Sequence, residues 1–335
     1  MPAVVVSDRE DGGAPRSKAD VANQRMMRIG FKNFAGTHDD EGMRAFLRGL
    51  IAHEFAHVLQ NPALGADDIA WEAEGGAEFM RWITLYRLGW RTADESAGDL
   101  ADALDACIEA AGERRWTAIS GRNQGRTPYA CGLAIQALAL ASRKGGGSPE
   151  AALMLFYRAA RSNPKASPAQ WLECGRDLAC EPRTIPALLD GDTPFGAALI
   201  AEVERLAIGA VDNAPPGEAA RSRMAARTFQ ALMSEDCNGG YSFNTSSTHI
   251  DVLKMASCKS LHAGLRVTGF AGVALGGVGA DASAAARAAC ARSRSVELQL
   301  DGLAPLAVTC PALLPQPSPR LTLDAKALFA RLDRP

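Results

Sequence analysis

The chain has 335 residues, 47% of them apolar and 22% charged, with a formal net charge of −2. This length suggests about two domains and suffices for a sizeable core. The near-neutral balance, without a basic block, points away from nucleic acid and from anionic membrane surfaces, and no apolar run approaches the roughly 20 residues needed to span a bilayer.

The first 35 residues hold two short strand candidates, 4–6 and 27–31, separated by a polar stretch with glycine and proline. Only Ala3-Val4-Val5-Val6 precedes the first charges, which does not make a signal peptide. Two expectations follow: a cytosolic protein, or a mature form whose leader has been removed.

A helix is expected next. Asp39, Asp40 and Glu41 suit its N-terminus, Leu47, Leu50, Ile51 and Phe55 recur at helical spacing, and Asn61-Pro62 stops it. On it lies His53-Glu54-Phe55-Ala56-His57, an H-E-x-x-H segment holding two of the five histidines of the chain. Residues four apart share a helix face, so both imidazoles can reach one ion. Glu54, one residue on, can address a water at that ion, which is the pattern of zinc hydrolases with a glutamate base.

Catalytic zinc takes three protein ligands and keeps one position open. Sixteen residues, 58–73, separate His57 from Glu74, enough for a turn and a return helix over about 68–88 ending at Gly89. That helix carries Trp71-Glu72-Ala73-Glu74-Gly75-Gly76-Ala77-Glu78-Phe79. Glu74 and Glu78 share a face and Glu72 points elsewhere, so one carboxylate can bind zinc while the other orients a ligand histidine. The alternative is a solvated acidic stripe.

H-E-x-x-H followed by W-x-x-E-G-x-A-E-[YF] resembles the gluzincin metallopeptidases, in the style of the aminopeptidase N and glycyl aminopeptidase groups. The resemblance implies Glu74 as third ligand and Glu78 as support for a ligand histidine. Gluzincins of this kind also carry a tyrosine in P-Y-x-x-G at a later helix start, matched here by Pro128-Tyr129-Ala130-Cys131-Gly132. The resemblance implies that the Tyr129 hydroxyl stabilises the oxyanion, and a helix N-terminus is a favourable place for that charge. It runs over about residues 25–185. It does not extend to the G-x-M-E-N segment that holds a free amino terminus, where this chain reads Ile29-Gly30-Phe31-Lys32-Asn33-Phe34-Ala35-Gly36-Thr37. With 52 residues ahead of His53, no counterpart of the large N-terminal β domain of those families is expected within this sequence.

From 42 to about 208 the pattern is mostly helical, with Ser148-Pro149, Ser167-Pro168 and Thr193-Pro194 as helix starts and Gly145-Gly146-Gly147 as a loop. An alanine-rich stretch over 99–111 reads as a packing helix. Residues 210–217, rich in proline and small residues, form a boundary, and a helix to about Met233 follows. Strand candidates then fall at 296–300, 306–308 and 321–323, with a helix candidate at 282–292.

Leu261-His262-Ala263-Gly264-Leu265-Arg266-Val267-Thr268-Gly269-Phe270-Ala271-Gly272 resembles a segment of bacterial PDZ modules, which follow the catalytic part in the glycyl aminopeptidase group. Such a module would bind an extended peptide by strand addition; a small β domain that only packs is the alternative. Gly277-Val278-Gly279 lacks the strand–helix context of a dinucleotide loop. Eight cysteines permit many pairings, with Cys174 near Cys180 and Cys237 and Cys258 bracketing a strand region. Disulfides would suit an exported protein, and buried thiols a cytosolic one.

The expectation is therefore an α+β chain. A thermolysin-like, mostly helical zinc peptidase domain with a small β element occupies 1–210, a connecting helix 211–235, and a β-rich PDZ-like domain 236–335. Zn²⁺ is held by His53, His57 and Glu74, with Glu54 as general base, Tyr129 at the oxyanion and Glu78 behind a histidine. The expected partner is a peptide or protein substrate, and the expected location is the periplasm or outside the cell. The rival is an inactive gluzincin-like scaffold that binds peptides through its C-terminal domain; a zinc hydrolase of a non-peptide bond is a third possibility.

Overall fold

The computed structural model describes residues 3–9, 16–22, 26–32, 41–60, 70–119, 127–144, 147–163, 167–237, 240–255, 257–277 and 281–333. The expected capping residues Asp39 and Asp40, the stop at Asn61-Pro62 and the segment Asn33–Thr37 lie outside them. The chain forms two compact units, Met1–Asp212 with Pro319–Pro335, and Asn213–Ser318.

The first unit opens with β1 (Ala3–Arg9), β2 (Arg16–Ala22) and β3 (Met26–Lys32). Their order is β1-β3-β2, with β1 parallel and β2 antiparallel to the central β3. β2 was not expected, because its sequence RSKADVA lacks an apolar alternation; its backbone nevertheless ladders along all of β3. Met27 and Ile29 of β3 are buried.

Among the described residues the α-helices that follow are α1 (Glu41–Gln60), α2 (Ala70–Arg87), α3 (Ala93–Ala111), α4 (Thr127–Ser142), α5 (Pro149–Ser162), α6 (Pro168–Cys174), α7 (Thr184–Leu189) and α8 (Phe195–Arg205). Local chemistry explains their starts. Thr92 and Glu95 close a reciprocal capping box on α3. Ser148 and Ser167 cap α5 and α6 ahead of a first-turn proline. At α8 the boundary differs from the expectation: Pro194 occupies the cap position itself and no side chain caps the helix.

The core of this unit gathers around α4, whose residues 131–141 are all buried. A helix apolar on every face belongs in the interior. Trp71, Phe79 and Ile83 of α2, Leu100 and Leu104 of α3, and Phe156 and Tyr157 of α5 pack in the same cluster. The last 17 residues, 319–335, rejoin this unit rather than the second one. β4 (Gly209–Asp212) pairs antiparallel with β11 (Arg320–Leu323), and α11 (Ala325–Leu332) puts Phe329 against Trp82 and Tyr86. Burial of Leu321, Leu328, Phe329 and Leu332 in the first core explains the return.

One helix crossing fixes the site's framework. A methyl carbon built on Gly75 of α2 would lie 2.2 Å from Gly132 Cα of α4, and one on Gly132 would lie 2.4 Å from Gly75 Cα. The two backbones touch, and only glycine at both positions allows it. α2 carries Glu74 and α4 carries Tyr129, so this contact sets their spacing. Gly75→Ala is expected to destabilise the protein by about 1–3 kcal/mol in denaturant unfolding; unchanged stability would show that the helices part at no cost.

In the second unit, α9 (Glu218–Asp236) is part of the local core, through Phe229, Leu232 and Met233, rather than a connector. The remaining strands are β5 (Tyr241–Thr245), β6 (Ile250–Met255), β7 (Arg266–Phe270), β8 (Val273–Ala274), β9 (Ser295–Leu300) and β10 (Leu303–Thr309), with α10 (Ala282–Ser293) between β8 and β9. They form an antiparallel sheet of order β10-β9-β7-β6-β5, with β8 alongside β7.

All eight cysteines are paired: Cys107–Cys131, Cys174–Cys180, Cys237–Cys258 and Cys290–Cys310. The first ties α3 to the start of α4, two residues past Tyr129. Among the described residues no helix is long and apolar enough to cross a membrane.

Candidate metal centre

His53 and His57 sit one turn apart on α1, and α2 brings Glu74 to the same point. His53 Nε2 and His57 Nε2 are 3.1 Å apart, and Glu74 Oε2 lies 3.4 Å and 3.5 Å from them. A tetrahedral zinc ion with ~2.1 Å bonds needs ligand atoms ~3.4 Å apart, so the triangle has the right size. Glu72 does not join it, although it too is buried. The solvated acidic stripe is not found: Glu72 and Glu78 are each only 8% exposed.

The outer ring nitrogens settle which way the imidazoles face. His53 Nδ1 lies 3.2 Å from Glu78 Oε1, short of good hydrogen-bond alignment but close enough for ion pairing. His57 Nδ1 lies 3.0 Å from Gln60 Oε1. Both Nδ1 atoms lie beside acceptor oxygens, which favours the neutral tautomers with the proton on Nδ1. Two Nε2 lone pairs and a carboxylate oxygen then converge with no proton among them. Such a set is mutually repulsive unless a cation fills it.

The electrostatics agree. Burial opposes charge on His53, but the Glu74 and Glu78 carboxylates outweigh it and raise the pKa to about 9. Burial also works against the Glu74 carboxylate, yet His53 and His57 hold it well below the usual carboxylate range. Glu78 is further shared with Arg81, whose Nε and Nη2 donate to Oε2 at 2.7 Å and 2.6 Å.

A cleft of about 890 Å³ opens beside this cluster, lined by His53, Glu54, Glu78 and Tyr129, with Phe46 and Trp90 among its apolar walls. Glu54 is 8% exposed and stands outside the ligand triangle. The Tyr129 ring lies parallel to that of His53, with centroids 5.9 Å apart and 14° between planes. All six residues singled out in the sequence therefore fall in one region of the first unit. Gln60, fully buried, was missed, although it is three residues from His57 on the same helix face. Tyr157, which Gln60 Nε2 meets at 2.7 Å, is 97 residues away and carries no local signal.

No protein-family model matches this chain, and no curated protein does. Among solved structures, the crystal structure of an aminopeptidase N family protein from Idiomarina loihiensis is similar, with a TM-score of 0.52 and 14% identity. The match covers 98% of this chain and 62% of that one, so the chain spans less than two thirds of its neighbour. At such identity the likeness is one of fold: a mixed helical and β architecture similar to that of an aminopeptidase N family protein.

Proposed function

We propose that the protein is a gluzincin-like zinc metallopeptidase. The observation that carries this is the convergence of His53 Nε2, His57 Nε2 and Glu74 Oε2 within 3.5 Å of one another beside a cleft. When bound there, Zn²⁺ would supply Lewis-acid polarisation of a carbonyl and a water acidified to a pKa of ~7. His53, His57 and Glu74 would hold it, and Glu78 fixes His53. Glu54 takes the proton of the attacking water and passes it to the leaving amine nitrogen. Tyr129 donates a hydrogen bond to the scissile carbonyl oxygen as negative charge develops on it. The fold likeness to an aminopeptidase N family protein supports a peptide substrate over other acyl compounds.

The second unit is read as PDZ-like. Support comes from its element order, in which β7 falls inside the segment 261–272 and α10 and then β9 follow. Four disulfides support an oxidising location, the periplasm or the exterior.

Metal analysis after dialysis against limiting zinc tests the ligand set. One zinc per chain is expected, and Glu74→Ala should lose it. Stoichiometric zinc in Glu74→Ala would remove that residue from the centre. Zinc in the wild type without cleavage of any peptide would favour the peptide-binding scaffold.

A further inference from the structure

The two histidines are held differently. His53 faces a carboxylate, whereas His57 faces the neutral amide of Gln60. A buried primary amide is costly unless both its ends are satisfied. Gln60 is 0% exposed, and its two ends are committed: Oε1 accepts from His57 Nδ1 at 3.0 Å, and Nε2 donates to the Tyr157 hydroxyl at 2.7 Å. The two contacts use opposite ends of one amide. With the NH₂ group turned to Tyr157, the amide oxygen has only the His57 side left to face. Tyr157 is itself 1% exposed and anchored in the core on α5.

An independent feature makes room for this chain of contacts. A methyl carbon at Gly76 would lie 2.5 Å from Gln60 Nε2 and 2.5 Å from the Tyr157 oxygen. Gly76 has no unusual backbone angle among the positive-φ glycines, so its missing side chain serves space and not conformation. It sits two residues past Glu74, on the helix that supplies the third candidate ligand.

We propose that Gln60 and Tyr157, accommodated by Gly76, form a buried relay that orients His57 with Nε2 towards the metal. They are positioning residues, and the proposal rests on the zinc-site reading. An amide serves where a carboxylate would also fit because Glu54, Glu74 and Glu78 already bring three carboxylates to the centre. A fourth would pull the cluster's charge further down and weaken the ion's Lewis acidity.

Zinc affinity, measured on the full chain by competition with a chromophoric chelator, tests this without any activity assay. Gln60→Leu removes the acceptor and should weaken zinc binding about 10–100-fold, the range for losing an outer-shell partner of a ligand histidine. Gln60→Glu restores an acceptor at the same place and should bind zinc at least as tightly as the wild type. Tyr157→Phe should weaken binding, and the double variant Gln60→Leu with Tyr157→Phe should be no weaker than Gln60→Leu alone, because the two act in series. A folded Gln60→Leu protein that binds zinc within about twofold of the wild type overturns the relay. If Gln60→Leu does not fold, Tyr157→Phe decides: wild-type affinity there overturns the relay, and weakened affinity beside tight Gln60→Glu supports it. A wild-type chain that binds no zinc would instead overturn the metal centre itself, a distinct result.

Discussion

Glu54→Gln is expected to keep zinc and lose hydrolysis, with kcat/KM falling about 10²–10⁴-fold, the range for removing a general base. Glutamine matches glutamate in size and keeps one oxygen, so packing around residue 54 should hold. It cannot take a proton at neutral pH. The geometry separates the two properties. Glu54 follows His53 directly on α1 and lines the cleft, but the ligand triangle is complete without it. Metal content and peptide turnover measured on the same preparation test the separation. Turnover near the wild-type rate would remove Glu54 as the base, and loss of zinc would place it in the metal centre.

Tyr129→Phe is expected to lower kcat about 10²–10³-fold, as for loss of one oxyanion donor, with KM little changed. The reason is that the hydroxyl acts only as charge develops on the carbonyl oxygen. Phenylalanine preserves the ring, and with it the parallel arrangement over His53 at 5.9 Å. The wall of the cleft is therefore retained. Steady-state kinetics on one peptide substrate suffices. An unchanged kcat would take Tyr129 out of the mechanism, and a raised KM at constant kcat would make it a binding residue.

Much of the centre was legible because its parts are local. His53 and His57 are one helical turn apart, and Glu74 and Glu78 repeat that spacing on α2, so period alone puts each pair on a face. Gln60 was within reach of the same argument, at i+3 from His57. What was not legible depends on contacts between distant segments. Tyr157 meets Gln60 across 97 residues, and the Gly75–Gly132 crossing exists only once α2 and α4 pack. In the fold, β2 carries no apolar alternation, and the β4–β11 ladder joins segments more than a hundred residues apart. α9 was expected to connect two domains because it follows a proline-rich boundary; its buried face assigns it to the second core. Cysteine spacing left the pairing open, and Cys107–Cys131 and Cys290–Cys310 in particular require the helices and strands to be placed first.

The central claim is that peptide hydrolysis belongs to an ion held by His53, His57 and Glu74. Zinc titrated into chelator-stripped protein, with cleavage of a mixed peptide library followed at each addition, tests it most directly. Cleavage should be absent from the stripped protein and should rise to a plateau at one equivalent of zinc. Cleavage that persists without metal, or none when one zinc is bound, would contradict it.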